Sequence, residues 1–172
     1  AAPVFDSPLI VYFPTVVQTN LGFLVQGPYR TTPNRESVPE NDEWNKHLVS
    51  ETAMLLVDAL HELCDLGFLT VDTLRSLPLV GNRFTERTMV APFFTTVQEA
   101  LRTQPLLPDF RGGYVAAQNA KLARTQQIRD LFSPAQLANL FQRDGELEWL
   151  SEHITQDRTP EIRDYLRRQL DI

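Results

Sequence analysis

The sequence predicts an α+β fold with a small, mainly antiparallel sheet packed by a long helix, followed by a mostly helical C-terminal half with one β-hairpin. Three observations predict this class. Short apolar runs bounded by Pro, Gly and Asn lie near the N-terminus, an amphipathic pattern follows from about Asn41, and helix-cap signals recur after Thr125. We predict two regions, an α+β region at residues 1–104 and a hairpin-plus-helix region at residues 105–172.

The composition limits the classes of protein to which the chain can belong. The chain has 172 residues, of which 42% are hydrophobic and 22% charged, as is typical of a globular protein. The net charge of −6 argues against nucleic-acid binding. The single Cys64 excludes an internal disulfide, so a cytoplasmic location is expected. No apolar run approaches the ~20 residues that a membrane helix needs. Because the chain begins without Met, we expect either a processed product or, in preference, a segment of a longer protein.

The first predicted elements are two strands. Leu9–Phe13 is a continuous apolar run ended by Pro14, which predicts a buried strand. The polar stretch Thr15–Asn20 is predicted to connect it to a second strand at Gly22–Val25, antiparallel to the first. Exposed apolar surface near Leu9–Leu24 is a predicted docking surface for another domain.

A loop and a long helix come next. Thr31–Pro39 is a predicted loop, and either Asn41 or Asp42 is a suitable N-cap for the helix that follows. The helix is predicted to reach about Asp65, with Gly67 as its C-terminal stop. Residues at helical spacing predict its core stripe: Trp44, Leu48, Leu55, Ala59 and Leu63.

The remaining elements are predicted from local signals. A short helix at Val71–Leu77 is followed by a helix over about Pro92–Arg102, and a hairpin is expected to turn at Arg111-Gly112-Gly113. Four helices then follow, at Gln126–Phe132, from Ser133-Pro134 to Phe141, at Glu146–His153 and after Thr159-Pro160.

Most residues that could form a chemical site are better explained as parts of the fold. His61 and Cys64 lie one helical turn apart, but no second pair exists, so no zinc site is predicted. Trp44 and Trp149 lie at helical spacing with aliphatic residues and are predicted core residues. No GxGxxG or GxxxxGK[ST] motif is present. A stand-alone enzyme would need a pocket that gathers His153 with a carboxylate and a nucleophile.

Two arginines remain, Arg30 and Arg35, on the loop before the long helix. A guanidinium beside a helix start can present its planar fork to a phosphate. The alternative is an ion pair with Glu36, Glu40 or Asp42. The direction of each side chain discriminates between these two interpretations.

The stretch VYFPT followed by LGFLVQGPYRTTPNRESVPENDEWNKHLVSETAMLLVDAL resembles the segment after the ATP-binding domain in bacterial Hsp90-like and sacsin-like proteins. PLLPDFRGGYVAAQNAKLA also resembles an element of sacsin-like chains. These proteins belong to the gyrase, Hsp90, histidine kinase and MutL superfamily, in which a basic residue of the second domain reaches the γ-phosphate of ATP. In Hsp90 this residue is an Arg just before a long helix, in a pattern close to Asn-x-Ser-Arg-Glu, and Pro33-Asn34-Arg35-Glu36 is the corresponding stretch here, sharing its Arg-Glu pair.

The match implies that Arg35 meets the γ-phosphate, with Arg30 as the second choice and Asn34 as a cofactor-binding residue. Where Hsp90 has a Gln one turn later, this chain has Pro39. The superfamily's ATP-site motifs are not recognisable, so no cofactor is expected in this chain, and ATP and Mg²⁺ are expected in the preceding ATP-binding domain of the parent. That domain is the expected partner, together with polypeptide clients.

The function implied by the resemblance is that of a non-catalytic, chaperone-like coupling fragment. It would supply an Arg in trans to ATP and relay nucleotide state to other domains or clients. The fragment is not expected to be active alone, whereas its parent is expected to be an ATPase. The alternative is a protein–protein interaction module with no role in nucleotide hydrolysis.

Overall fold

A computed structural model describes residues 7–172 of the chain. It contains six helices and six short strands: β1 Pro8–Ile10, β2 Pro14–Gln18, α1 Glu43–Asp65, α2 Val71–Leu74, α3 Ala91–Thr103, β3 Leu107–Pro108, β4 Tyr114–Val115, β5 Ala120–Lys121, α4 Gln126–Leu131, α5 Pro134–Leu140, β6 Glu148–Trp149 and α6 Pro160–Gln169. Single 3₁₀ turns lie at Gly81–Arg83 and Ala117–Asn119. The predicted α+β class is confirmed.

The strands form three two-stranded sheets. β1 pairs with β2 and β3 pairs with β4, both antiparallel, whereas β5 pairs with β6 in parallel. The hairpin predicted around Gly112 is confirmed, because Asp109 Oδ1 accepts the backbone N–H groups of Arg111 at 2.7 Å and Gly113 at 2.9 Å inside the turn. The same half of the chain also contains the helices α4, α5 and α6 and the parallel pair of β5 and β6.

The second strand lies at Pro14–Gln18, and its predicted position at Gly22–Val25 is wrong. Pro14–Gln18 contains Thr15, Val16 and Val17, whose β-branched side chains favour a strand and outweigh its polar ends. Residues 22–25 are irregular. Val25 instead accepts the N–H of Ile10 at 2.9 Å, and the following Gln26 bridges Ile10 in the parallel sense.

Helix α1 has the ends that the sequence predicts. Asp42 is the N-cap, because its Oδ1 accepts the backbone N–H of Asn45 at 3.0 Å. At the other end Gly67 adopts φ 72°, and Phe68 N–H donates to the Leu63 carbonyl at 2.7 Å. A left-handed glycine with this backward hydrogen bond is a Schellman C-cap.

The buried face of α1 differs from the predicted core stripe. Leu55 is 64% exposed and Trp44 is 43% exposed, so neither belongs to the core. The buried residues form a neighbouring stripe: Asn45, Val49, Ala53, Val57 and Leu60. Both stripes repeat at helical spacing, because α1 has apolar residues on more than one face. The sequence period therefore could not decide which face is buried.

A predicted helix at Glu146–His153 is also wrong, since this stretch contains strand β6. β6 pairs with β5, and the Leu150 N–H donates to the Lys121 carbonyl at 2.9 Å just after the strand. Trp149 is buried in a cluster with Leu137 and Leu147, as predicted. Within residues 7–172 no helix has the length and apolarity needed to span a membrane.

The chain divides into two compact units. The first comprises the described part of Ala1–Ala59 together with Asp72–Val97, and the second comprises Leu60–Val71 together with Gln98–Ile172. The predicted domain boundary between residues 104 and 105 stays a prediction. The loop with Arg30 and Arg35 lies in the first unit, as do the residues described for it below.

Candidate functional site

The candidate site is built on the segment 31–38, called here the arginine loop, which is held at both of its ends by Asn45. This side chain is fully buried at the start of α1. Its Oδ1 accepts the backbone N–H of Arg30 at 2.8 Å, and its Nδ2 donates to the carbonyls of Arg30 at 3.0 Å and Pro39 at 3.2 Å. One amide thereby fixes the residues on either side of the arginine loop to the helix.

The interior of the arginine loop is closed by hydrogen bonds around Thr32. Thr32 N–H donates to the Ser37 carbonyl at 2.9 Å, and Arg35 N–H donates to the Thr32 carbonyl at 2.8 Å. The Thr32 hydroxyl donates to Asn34 Oδ1 at 2.6 Å and accepts from Ser37 N–H at 3.2 Å. These bonds leave the loop little conformational freedom.

A further bond ties the arginine loop to the sheet. The backbone N–H of Val16, in strand β2, donates to the Glu36 carbonyl at 2.8 Å. Val38 at the end of the loop is buried and anchors it in the first unit. The loop is therefore supported by a helix and by a strand, and its tip is held in a defined position.

Arg35 lies at this tip in a strained backbone conformation, with φ 61°. The left-handed region costs a non-glycine residue about 1–2 kcal/mol. The side chain is exposed, and within residues 7–172 it makes no ion pair or side-chain hydrogen bond. Arg35 therefore does not pair with Glu36, Glu40 or Asp42 and is available to an anion from outside this unit.

Beside Arg35 lies an open hollow of about 330 Å³, lined also by Val11, Tyr12, Phe13, Tyr29 and Thr31. Tyr12 is 86% exposed and Phe13 is 67% exposed, so two aromatic rings face solvent next to the cation. An exposed aromatic pair of this kind is the usual mark of a contact surface rather than of a core.

Tyr29 forms the buried wall of the hollow. The Thr52 hydroxyl donates to the Leu48 carbonyl at 2.7 Å, so the Tyr29 hydroxyl donates to Thr52 Oγ1 at 2.9 Å. Burial raises the pKa of Tyr29, which stays a neutral phenol at physiological pH. Its role is to support the hollow and not to exchange protons.

Arg30, unlike Arg35, makes an ion pair within its own unit. Its guanidinium lies 3.5 Å from Asp42 Oδ2 and 5.5 Å from the centre of the Trp44 ring. It is thus folded back on the helix start, as the ion-pair interpretation requires. Because the Arg30 side chain is 64% exposed, this pair contributes only about 0–1 kcal/mol to stability.

The Asn34 side chain is engaged within the arginine loop. Its Nδ2 donates to Glu36 Oε2 at 2.7 Å, and its Oδ1 accepts the Thr32 hydroxyl. This amide therefore shapes the turn that presents Arg35. Its contact with a nucleotide stays a prediction.

The other candidate groups do not assemble a catalytic site in residues 7–172. His61 Nε2 lies 2.6 Å from Gln104 Oε1, and no group of three His, Cys, Asp or Glu side chains is placed to hold a metal ion. His153 lines a pocket of the second unit with Glu152 and Thr155, but its ring makes no hydrogen bond to either in this part of the chain. The arrangement is not a catalytic triad.

Replacing Arg35 with glycine should raise the free energy of unfolding by about 0.5–1 kcal/mol. Glycine adopts the left-handed conformation without the steric penalty, and part of this gain is offset by the greater freedom of the unfolded chain. Urea denaturation measures the difference. Glu40→Gly is the matched control, because Glu40 is exposed and is not among the positive-φ residues, and it should not stabilise the chain. A less stable Arg35→Gly variant would show that the backbone at this tip is unstrained.

One curated protein is similar to part of the chain. Protein NO VEIN of Arabidopsis thaliana is 38% identical over 68 residues, which is 36% of this chain and 2% of the plant protein. The chain thus corresponds to a very small part of that relative's length. No protein-family model matches the chain. No solved structure matches it significantly.

Proposed function

We propose that this chain is a coupling region of a larger Hsp90-like ATPase and that it supplies Arg35 in trans to the γ-phosphate of ATP. The observation that supports the proposal is the state of Arg35: it is exposed, it has no acidic partner among residues 7–172, and it lies at the tip of a loop fixed at both ends. Arg30, which is paired with Asp42, is not proposed for this role.

The chemistry of phosphoryl transfer explains why such an arginine would matter. In the transition state, negative charge is spread over the oxygens of the transferred group, and a guanidinium placed beforehand stabilises that charge. A cation on a mobile loop would first have to be ordered. The bonds of Asn45 and Thr32 order the backbone of the loop during folding, so only the Arg35 side chain has to be ordered at the moment of reaction.

In this proposal the chain contributes no nucleotide site of its own. ATP and Mg²⁺ are held by the ATP-binding domain of the same parent protein, which acts in the cytoplasm. The hollow with Tyr12 and Phe13 is where that domain docks, since these exposed rings lie next to Arg35. Nucleotide state then passes through the arginine loop into α1 and on to other domains or polypeptide clients.

A second candidate function is a protein–protein interaction module without a part in hydrolysis. The exposed apolar residues of the first unit favour it: Tyr12, Phe13, Val16 and Leu24. In this case Arg35 would meet a carboxylate of the partner, and the parent protein would turn over ATP equally well without it.

The test is ATP turnover by the full-length parent protein carrying Arg35→Ala, with Arg30→Ala as the matched control at the residue that precedes the arginine loop. The proposal expects a large loss for the first variant and a small effect for the second. Unchanged turnover in both would leave the interaction module as the better explanation.

A further inference from the structure

A second arginine-rich feature lies in the second unit and is independent of Arg35. A pocket of about 670 Å³ opens between the start of α4 and the segment that leads into α6. The charged residues that line it are four arginines and two acids: Arg124, Arg129, Arg158, Arg163, Glu152 and Asp157. The arginines and carboxylates of the lining sum to a charge of +2, in a chain whose net charge is −6.

Arg129 is the unusual member of this group, because it is buried and makes no ion pair within the part of the chain that the structure describes. Only 7% of the residue is exposed, and its Nε has no hydrogen-bond partner in the described part of the chain. Its guanidinium lies 5.8 Å from the centre of the Phe110 ring, which covers part of it with apolar surface. A buried charge that lacks a hydrogen-bonded counter-charge is costly and rare in proteins.

The surrounding charges do not neutralise Arg129. Burial is the main cause that lowers the pKa of Arg129; Glu152 raises this pKa, Arg163 lowers it, and Asp130 raises it. Within residues 7–172 no carboxylate oxygen lies within 4.0 Å of a guanidinium nitrogen of Arg129, so Arg129 makes no ion pair there. Arginine remains charged at physiological pH despite such a shift. The wall of the pocket thus holds a buried cation that makes no ion pair within residues 7–172, with further cations around it.

We propose that this pocket binds a phosphate group, with Arg129 as the principal ligand and Arg163 and Arg124 as supporting cations. A phosphate oxygen pair suits the planar fork of a guanidinium and would supply the counter-charge that the fold does not provide. The ligand is a free phosphate, or a phosphate monoester on a nucleoside or on a serine side chain. Glu152 opposes binding and limits the affinity.

The experiment uses the 172-residue chain and inorganic phosphate at constant ionic strength, with sodium chloride as the reference. At ten times its dissociation constant, phosphate should raise the melting temperature by about 4 °C. Arg129→Gln should weaken binding about tenfold or more in calorimetric titration, and Glu152→Gln should tighten it. Arg83→Gln is the control, because Arg83 is exposed and belongs to the first unit, and it should bind like the unmodified chain.

Two further titrations identify the source of the phosphate. Tighter binding of phosphoserine than of free phosphate assigns the site to a modified side chain, and tighter binding of AMP assigns it to a nucleotide. No stabilisation of the unmodified chain beyond that by chloride would overturn the proposal, and so would equal binding by the Arg129→Gln variant. If Arg129→Gln does not fold, Arg163→Gln replaces it and should weaken binding in the same direction.

Discussion

Replacing Asn45 with leucine should lower the free energy of unfolding of the chain by about 3 kcal/mol. The amide makes three hydrogen bonds to the backbone, one from the N–H of Arg30 and one each to the carbonyls of Arg30 and Pro39. Leucine has a similar volume but none of these bonds, and each partly buried backbone group left without a partner costs about 1 kcal/mol or more. Urea denaturation gives the value directly.

The control for this variant is Asn41→Leu in the same part of the chain. Asn41 is exposed and lies outside α1, so its replacement should change stability by no more than about 0.5 kcal/mol. A loss below 1 kcal/mol for Asn45→Leu would mean that the ends of the arginine loop are held by something other than this amide. The fixed position of Arg35 would then lose its explanation.

Replacing Arg35 with alanine should reduce ATP turnover by the full-length parent about 10³-fold. This is the lower end of the range for arginines that stabilise phosphoryl-transfer transition states. The Michaelis constant for ATP should change little, because the interaction is made mainly in the transition state. Stability should also be preserved, since alanine and arginine are similarly strained at φ 61°.

Arg30→Ala is the matched control for turnover, because Arg30 is the neighbouring cation of the same segment. Its loss removes an exposed ion pair with Asp42 and a contact with Trp44, so turnover should fall less than about threefold. A large loss of turnover in Arg30→Ala, together with normal turnover in Arg35→Ala, would show that Arg30 and not Arg35 meets the phosphate. Equal, large losses in both would indicate a general disturbance of the loop.

Local signals were enough to predict the ends of α1 and the hairpin. An N-cap at Asp42, a left-handed Gly67 and the Gly112 turn each follow from short-range backbone chemistry. The second strand and β6 were mispredicted for another reason. Both strands depend on pairing with another part of the chain. Val16 lies in β2, which pairs with β1, and Glu148 lies in β6, which pairs in parallel with a segment more than twenty residues away.

The site shows the same division between local and long-range information. The sequence predicted that Arg35 lies on a loop before a helix, and the structure places it there. It did not predict the left-handed backbone of Arg35, because arginine has no preference for that region. Nor did it predict that Asn45 holds the ends of the arginine loop. In the sequence Asn45 is an ordinary polar residue of a helix, and its role appears only when the folded chain brings Arg30 and Pro39 to it.

Affinity for a transition-state analogue tests the proposal that Arg35 meets the transferring phosphoryl group. The full-length parent and its Arg35→Ala variant would be titrated with MgATP and with MgADP plus aluminium fluoride, which mimics the transferring group. On this proposal the variant should lose about 10³-fold in affinity for the analogue and less than about threefold for MgATP. Equal affinities of the two proteins for the analogue would contradict it.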